Sequence, residues 1–265
     1  MIRFAWLAAL TIAVAMPVSG APVPQKIVSS LALSKPFDTR RAWTFTATQG
    51  ADIPDPTGEE TERVPGPITL CLSPDGGKTC ASVLSDAFRT SNAGDLFDEP
   101  HALVRVAIDH LPGAAARPLL FVKTASVLST DGNARVVTQV LLYNRADDAF
   151  TLAYQHVSGH NNSEDLRYVP GGPLAGDIIV AEPTENAPYG FWVTVNRLTA
   201  HDRFEPVLRY RSATRYGDGN PLSVIDSEMP NIEQHLGLRR PGQALPVPAS
   251  PCAKPHLVKG ALWCQ

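Results

Sequence analysis

The sequence has little of what marks a nucleic-acid or membrane partner. Lysine and arginine number 23 against 26 acidic residues, a net charge of −3. No segment gathers the basic residues into a stripe, so nucleic acid has no electrostatic footprint to meet. Past the N-terminus no apolar run approaches the ~20 residues that cross a bilayer, and no membrane span is expected in the mature chain. Helical periodicity is also scarce. Ser82–Phe88 and Asn231–Gly237 are expected to be at most short helical turns. HExxH, GxSxG, SxxK and the dinucleotide glycine fingerprint are all missing, and so is the D-x-D-x-D spacing of an EF-hand. No cofactor and no metal are expected on these grounds.

What is present begins with MIRFAWLAALTIAVAMPVSGA. Arg3 gives a positive start, Phe4–Met16 is an apolar stretch too short for a stable span, and Pro17 breaks it before Ser19, Gly20 and Ala21. This is the pattern of a cleavable secretory signal over residues 1–21, and a secreted or periplasmic location is expected. Cysteine usage points the same way. Four cysteines, Cys71, Cys80, Cys252 and Cys264, read as two disulfides in an exported chain. Local pairing, Cys71 with Cys80 and Cys252 with Cys264, is expected because each pair brackets a short segment rich in turn formers. The spacings fit none of the usual zinc-ligand pairs.

The segment CLSPDGGKTC contains Gly77, Lys78 and Thr79, the tail of a phosphate loop. That loop needs a further glycine where Leu72 stands. Apolar alternation at Ile68, Leu70 and Leu72, followed by Pro-Asp-Gly-Gly, predicts a β-hairpin whose second strand starts at Lys78. Ser73, Asp75, Gly77 and Thr79 resemble the Asp-box, a hairpin turn that recurs in sialidase-like β-propellers, with Cys80 where the box has Trp. Ser129, Asp131 and Gly132 make a weaker second match. The box is structural in that family, so the resemblance implies a fold and no chemistry.

Internal repetition extends this to an architecture. Thr138–Val169 aligns with Phe191–Ile225: Val140 and Leu142 fall on Val193 and Val195, and Phe150 falls on Phe204 after one inserted turn residue. Each copy reads as four strands, the first apolar (Leu119–Val122, Asp177–Val180), the last beyond a polar loop. A looser copy covers Trp43–Ile108. The expectation is an all-β fold of four-stranded antiparallel units at about 43–110, 119–169 and 177–226, within one domain spanning 22–240. The units form either a partial, propeller-like array or a β-sandwich. Residues 241–265 are expected to be a Pro-rich tail pinned by its disulfide.

The polar loops 158–165 and 214–221 hold the same place in the two copies, so they are expected on one face. They would gather His156, His160, Asn161, Glu164 and Asp165 with Arg215, Tyr216, Asp218 and Asn220, a set able to hold a sugar or an oxygen-ligated cation. His156 and His160 would share a face only on a helix, so no two-histidine metal site is expected. Asp226 and Glu228 are a possible carboxylate pair, placed at i and i+2 on a strand. The expected function is binding or scaffolding by an exported non-catalytic β-protein, its partner a small molecule, a glycan or a protein. The alternative is an exported hydrolase of glycans or esters with carboxylates in the same loops.

Overall fold

Strands form where β-branched and aromatic residues alternate or run together. The computed structural model describes residues 25–58, 61–88, 97–113, 116–130, 132–158, 164–184, 190–213, 215, 220–239, 256–258 and 261–263. Along the chain come β1 (Lys26–Ala32), a one-turn helix α1 (Ser34–Phe37), β2 (Thr44–Gln49), β3 (Ile53–Pro54), β4 (Arg63–Val64), β5 (Ile68–Ser73) and β6 (Ser82–Val83). The first sheet has the order β1-β2-β5-β6, with β3 and β4 paired as a small separate hairpin. The second sheet is the meander β7 (Ala102–His110), β8 (Pro118–Ala125), β9 (Val136–Asn144) and β10 (Ala149–Ser158). The third is the meander β11 (Asp165–Tyr168), β12 (Ile178–Pro183), β13 (Phe191–Leu198) and β14 (Phe204–Arg211). Helix α2 (Pro221–His235) follows, and then a two-stranded ribbon of β15 (His256–Val258) and β16 (Ala261–Trp263). The fold is all-β, built from four-stranded antiparallel sheets.

The sheets stack face to face because the second is apolar on both faces. Leu120, Val122, Leu141 and Tyr143 point to the first sheet and pack with Phe45, Leu70 and Leu72. Their neighbours Leu119, Phe121, Val140 and Leu142 point the other way and meet Ile178 and Val180. The far face of the third sheet, Ile179, Phe191, Val193 and Val195, is covered by Val224, Ile225 and Ile232 of α2.

Helix α2 corrects the sequence reading, which placed a strand at the end of the 177–226 unit and only a short turn at 231–237. Asn220 caps it, its side-chain oxygen accepting from the Leu222 and Ser223 amides, and Pro221 occupies the first turn. Leu222, Ile225, Met229, Ile232 and Leu236 then recur at helical spacing. Pro230, a helix breaker by local rule, sits inside the helix and masks that pattern. The sheets are also phased one strand earlier than the sequence units. Leu166–Tyr168, the expected last strand of the 119–169 unit, pairs instead with β12 in the third sheet.

The hairpin at 71–80 forms as expected, with Cys71 bonded to Cys80 and the second strand resuming at Ser82 rather than Lys78. The Asp75 carboxylate accepts from the Lys78 and Thr79 amides at 3.0 and 2.9 Å, while the Ser73 hydroxyl accepts from Gly77 N. Gly76 and Gly77 take the positive φ that the turn requires. The hydrogen bond from Ser73, with those from Thr79, holds the Asp75 carboxyl far below the usual carboxylate range. Cys252 and Cys264 lie outside the described residues.

Two aspartates in left-handed conformation bind each sheet to the one before it. Asp148, at the β9–β10 turn, receives Arg41 Nε at 2.5 Å, Trp43 Nε1 at 3.1 Å and the Tyr143 hydroxyl. Asp202, at the β13–β14 turn, accepts a bidentate pair from Arg117 at 2.7 and 2.9 Å. Each hairpin also carries one bulged residue in its second strand, Ala153 or Val207.

Asp148 generates a test in acid. Its carboxyl is lowered from 3.8 to about 2, first by the Tyr143 hydroxyl and then by Arg41 and Trp43. A depressed folded-state value means that its stabilisation is complete above the unfolded value and lost as pH falls through the folded one. Asp148→Asn keeps a residue that tolerates positive φ. The melting temperature of the wild type should exceed that of the variant at pH 7, and the gap should shrink between about pH 5 and pH 2. Thermal melts by circular dichroism read it, and a gap constant down to pH 2 would assign the effect elsewhere.

Candidate functional site

The interlayer between the second and third sheets changes character toward one end. Arg105 pairs with Lys123, Lys123 with Thr138 and Thr138 with His156. Directly opposed residues share a face, so these four make one polar row across all four strands of the second sheet. The row begins one pleat beyond Phe121 and Val140, which are opposed in the same way and lie in the apolar interlayer.

Carboxylates at the start of the third sheet meet two members of the row. Asp165 accepts from Lys123 Nζ at 2.8 Å, and Glu164 Oε1 lies 2.6 Å from His156 Nε2. Glu182, on β12, brings a second carboxylate to the same histidine and is bonded to Arg209 at 3.3 Å. Arg167 is paired with Asp226 of α2. The Tyr154 ring stacks on His156 at 6.4 Å between centroids and 11° between planes. Burial pushes its phenol well up, and the charges of Glu182 and Glu164 push it further.

A cleft of about 260 Å³ is lined by Arg105, Lys123, Thr138, Asp165, Arg167 and Tyr168, together with Leu222 of α2. Asp165 ends the first of the two polar loops and Leu222 follows directly on the second, so both loops root at this cleft. His156, Glu164 and Asp165 are thereby brought together. Arg215 is exposed, and the Asn220 side chain is spent on capping α2. His160, Asn161, Tyr216 and Asp218 lie outside the described residues.

Asp226 and Glu228 do not form the carboxylate pair that a strand would have made. On a helix, positions two apart point to different sides. Asp226 reaches Arg167, whereas Glu228 is fully buried and accepts from the Tyr210 hydroxyl at 2.8 Å and Asn231 Nδ2 at 2.9 Å.

Arg105, Lys123, Thr138, Arg167 and Glu182 escaped the sequence reading. Their signal is the strand register, which a single sequence states only through the alternation of each strand taken alone. A second, larger pocket of about 510 Å³ escaped it too, between the β3–β4 hairpin and residues 126–130. The Asp55 and Glu62 carboxylates there come within 2.8 and 3.0 Å of the point where a Cβ on Gly58 would stand. The Thr57 amide lowers the Asp55 carboxyl. His101, buried at the same pocket, has Nδ1 2.8 Å from the Pro65 carbonyl. A carbonyl can only accept, so Nδ1 is the donor in this contact.

No family model, no curated protein and no solved structure matches the chain.

Asn220 supplies a check on the partition between cap and ligand group. Asn220→Ala should lower unfolding free energy by about 1 kcal/mol through loss of the cap, and Asn220→Asp should retain it. Urea titration followed by circular dichroism measures both. Equal stability of all three proteins would show that the cap contributes nothing to stability.

Proposed function

We propose that the chain is an exported, non-catalytic β-protein that binds a polar ligand of the glycan class in the cleft between its second and third sheets. The observation that carries the reading is one concave surface, lined by Asp165 at the end of the first polar loop and Leu222 just after the second, that offers a hydroxyl, two guanidinium groups, an ammonium, a carboxylate and a tyrosine ring. Sugar hydroxyls act as donors and acceptors together, and such a mixed lining serves both. Every cation of the lining already has a carboxylate partner, which favours a neutral or weakly acidic ligand over a polyanion. Export is supported by the 1–21 signal pattern and by the Cys71–Cys80 bond, which persists in oxidising compartments.

The repeat belongs to the same reading. Asp148 and Asp202, Phe150 and Phe204, and the bulged Ala153 and Val207 are each 54 positions apart. Val140 and Leu142 face the layer that follows theirs, and so do Val193 and Val195. A duplicated meander accounts for Asp165 and Leu222, which flank equivalent loops of the two copies, lining one cleft.

Hydrolysis is the second reading, and one observation favours it at a different place from the loops. Asp55 and Glu62 approach one point at the larger pocket, which His101 also lines, a pairing of carboxylates that glycoside hydrolysis uses.

A glycan array followed by calorimetric titration separates the two readings. The wild type is expected to retain a defined glycan, with Lys123→Ala and Arg167→Ala each weakening it about tenfold, a loss of ~1.4 kcal/mol, and no product released. Turnover of chromogenic glycosides or esters that is abolished in Asp55→Asn or Glu62→Gln would favour hydrolysis. Retention indifferent to Lys123 and Arg167 would remove the cleft as the binding site.

A further inference from the structure

We propose that His156, Glu164 and Glu182 form a site for a divalent zinc-class cation that ties the second sheet to the third. The candidate ligand atoms, one imidazole nitrogen and two carboxylate oxygens, all lie within 4.8 Å of one another. They come from three separate segments: β10, the residue that precedes β11, and β12. No local turn chemistry brings them together. They meet because the register places His156 at the edge of the polar row, opposite the start of the third sheet. This departs from the expectation of no metal, which rested on cysteine spacing, on the missing EF-hand pattern and on the separation of two histidines, and did not consider one histidine with two glutamates.

The donor set selects the ion. One nitrogen and two oxygens suit a borderline cation and resemble the His-and-carboxylate sets that bind zinc with a fourth position left open. Calcium needs six to eight oxygens, and an imidazole with two carboxylates is a poor match. Charge agrees, since two carboxylates face the site against Arg209, whose side chain is 57% exposed and bonds Glu182 at 3.3 Å. An exposed pair of that kind is worth little and is readily given up.

The geometry is close to closing. Ligand atoms held ~2.0–2.2 Å from a tetrahedral zinc stand roughly 3.3 Å apart. The widest separation must therefore shrink by at most ~1.5 Å, within the reach of glutamate side chains that have three rotatable bonds. The stack of Tyr154 on His156 fixes the imidazole plane. On binding, the proton shared between His156 Nε2 and Glu164 Oε1 leaves to solvent, the nitrogen lone pair goes to the metal, and the carboxylate oxygen becomes a ligand in place of a hydrogen-bond acceptor. The inference is independent of what the neighbouring cleft holds, because the ion alone tests it.

The experiment uses the full mature chain without a histidine tag, stripped with chelator and dialysed against zinc. One zinc per chain is expected by elemental analysis, with the melting temperature raised by roughly 5 °C or more at a hundredfold excess over Kd. His156→Ala should lose both the ion and the shift. Glu182→Gln, at a partly exposed position, should keep the melting temperature of the metal-free protein and bind zinc at least about tenfold more weakly. The proposal is overturned if the wild type binds no zinc, or if calcium or magnesium gives the shift where zinc does not. Zinc bound with the same stoichiometry and affinity by both variants would place the ion elsewhere and overturn it as well.

Discussion

The architecture depends on one sheet that cannot face water on either side. Strand β9 is buried through Val137–Tyr143, and β8 is nearly so. Antiparallel sheets commonly keep one solvated face. Here successive residues alternate between two apolar interlayers, so a partner is required above and below. The first and third sheets supply them. Burying an apolar side chain fully is worth about 1.5–3 kcal/mol, and the eight residues that project from β8 and β9 into the two interlayers make this the largest constraint on where the other layers can sit. The carboxylate clasps at Asp148 and Asp202 then fix how adjacent layers are aligned, since an arginine fork and an indole N–H accept only narrow geometries.

The candidate site follows from the point at which that apolar alternation ends. Phe121 and Val140 are opposed in one row, and two positions along each strand the opposed pair is Lys123 and Thr138. The same face therefore passes from hydrocarbon to charge within one pleat. A buried charge without a partner would be costly, and the third sheet meets it with Asp165, Glu164 and Glu182. The polar cluster and the cleft beside it are thus the rim of an interlayer. They sit on strands, and strands hold side chains in place more firmly than loop tips do.

How much of this was legible follows from the range of each signal. The 71–80 hairpin was legible because its determinants are local: Asp75 takes amide donors three and four residues ahead, and two glycines supply the φ angles. The layered all-β character was legible in the alternation of Val140 and Leu142 against Val193 and Val195. Helix α2 was hidden by Pro230 together with Ser, Asp and Asn, which lower local helix propensity, while its formation is driven by burial of Val224, Ile225 and Ile232 against the third sheet. His156, Glu164 and Asp165 could be nominated by their chemistry in a polar loop. Lys123, Thr138 and Glu182 could not, because they read as ordinary members of strands until register sets them side by side.

Helix α2 also explains why the stack stops where it does. In the first two steps, a sheet receives on its far face another sheet whose third-to-fourth-strand turn reaches back with an aspartate, Asp148 to Arg41 and Asp202 to Arg117. At the third step a helix lies in that place. The corresponding face residues, Phe191, Val193 and Val195, meet aliphatic side chains on a helical stripe, and the polar attachment comes from within the helix, where buried Glu228 accepts from Tyr210 of β14. A further sheet would leave a fresh apolar face or a fresh edge to cover. A helix satisfies its own backbone and offers no open edge, so it can end the series of sheets. It is covered beyond its apolar stripe too: Ser227, Glu228, Pro230, Asn231 and Glu233 are buried as well, and β16 lies against the helix.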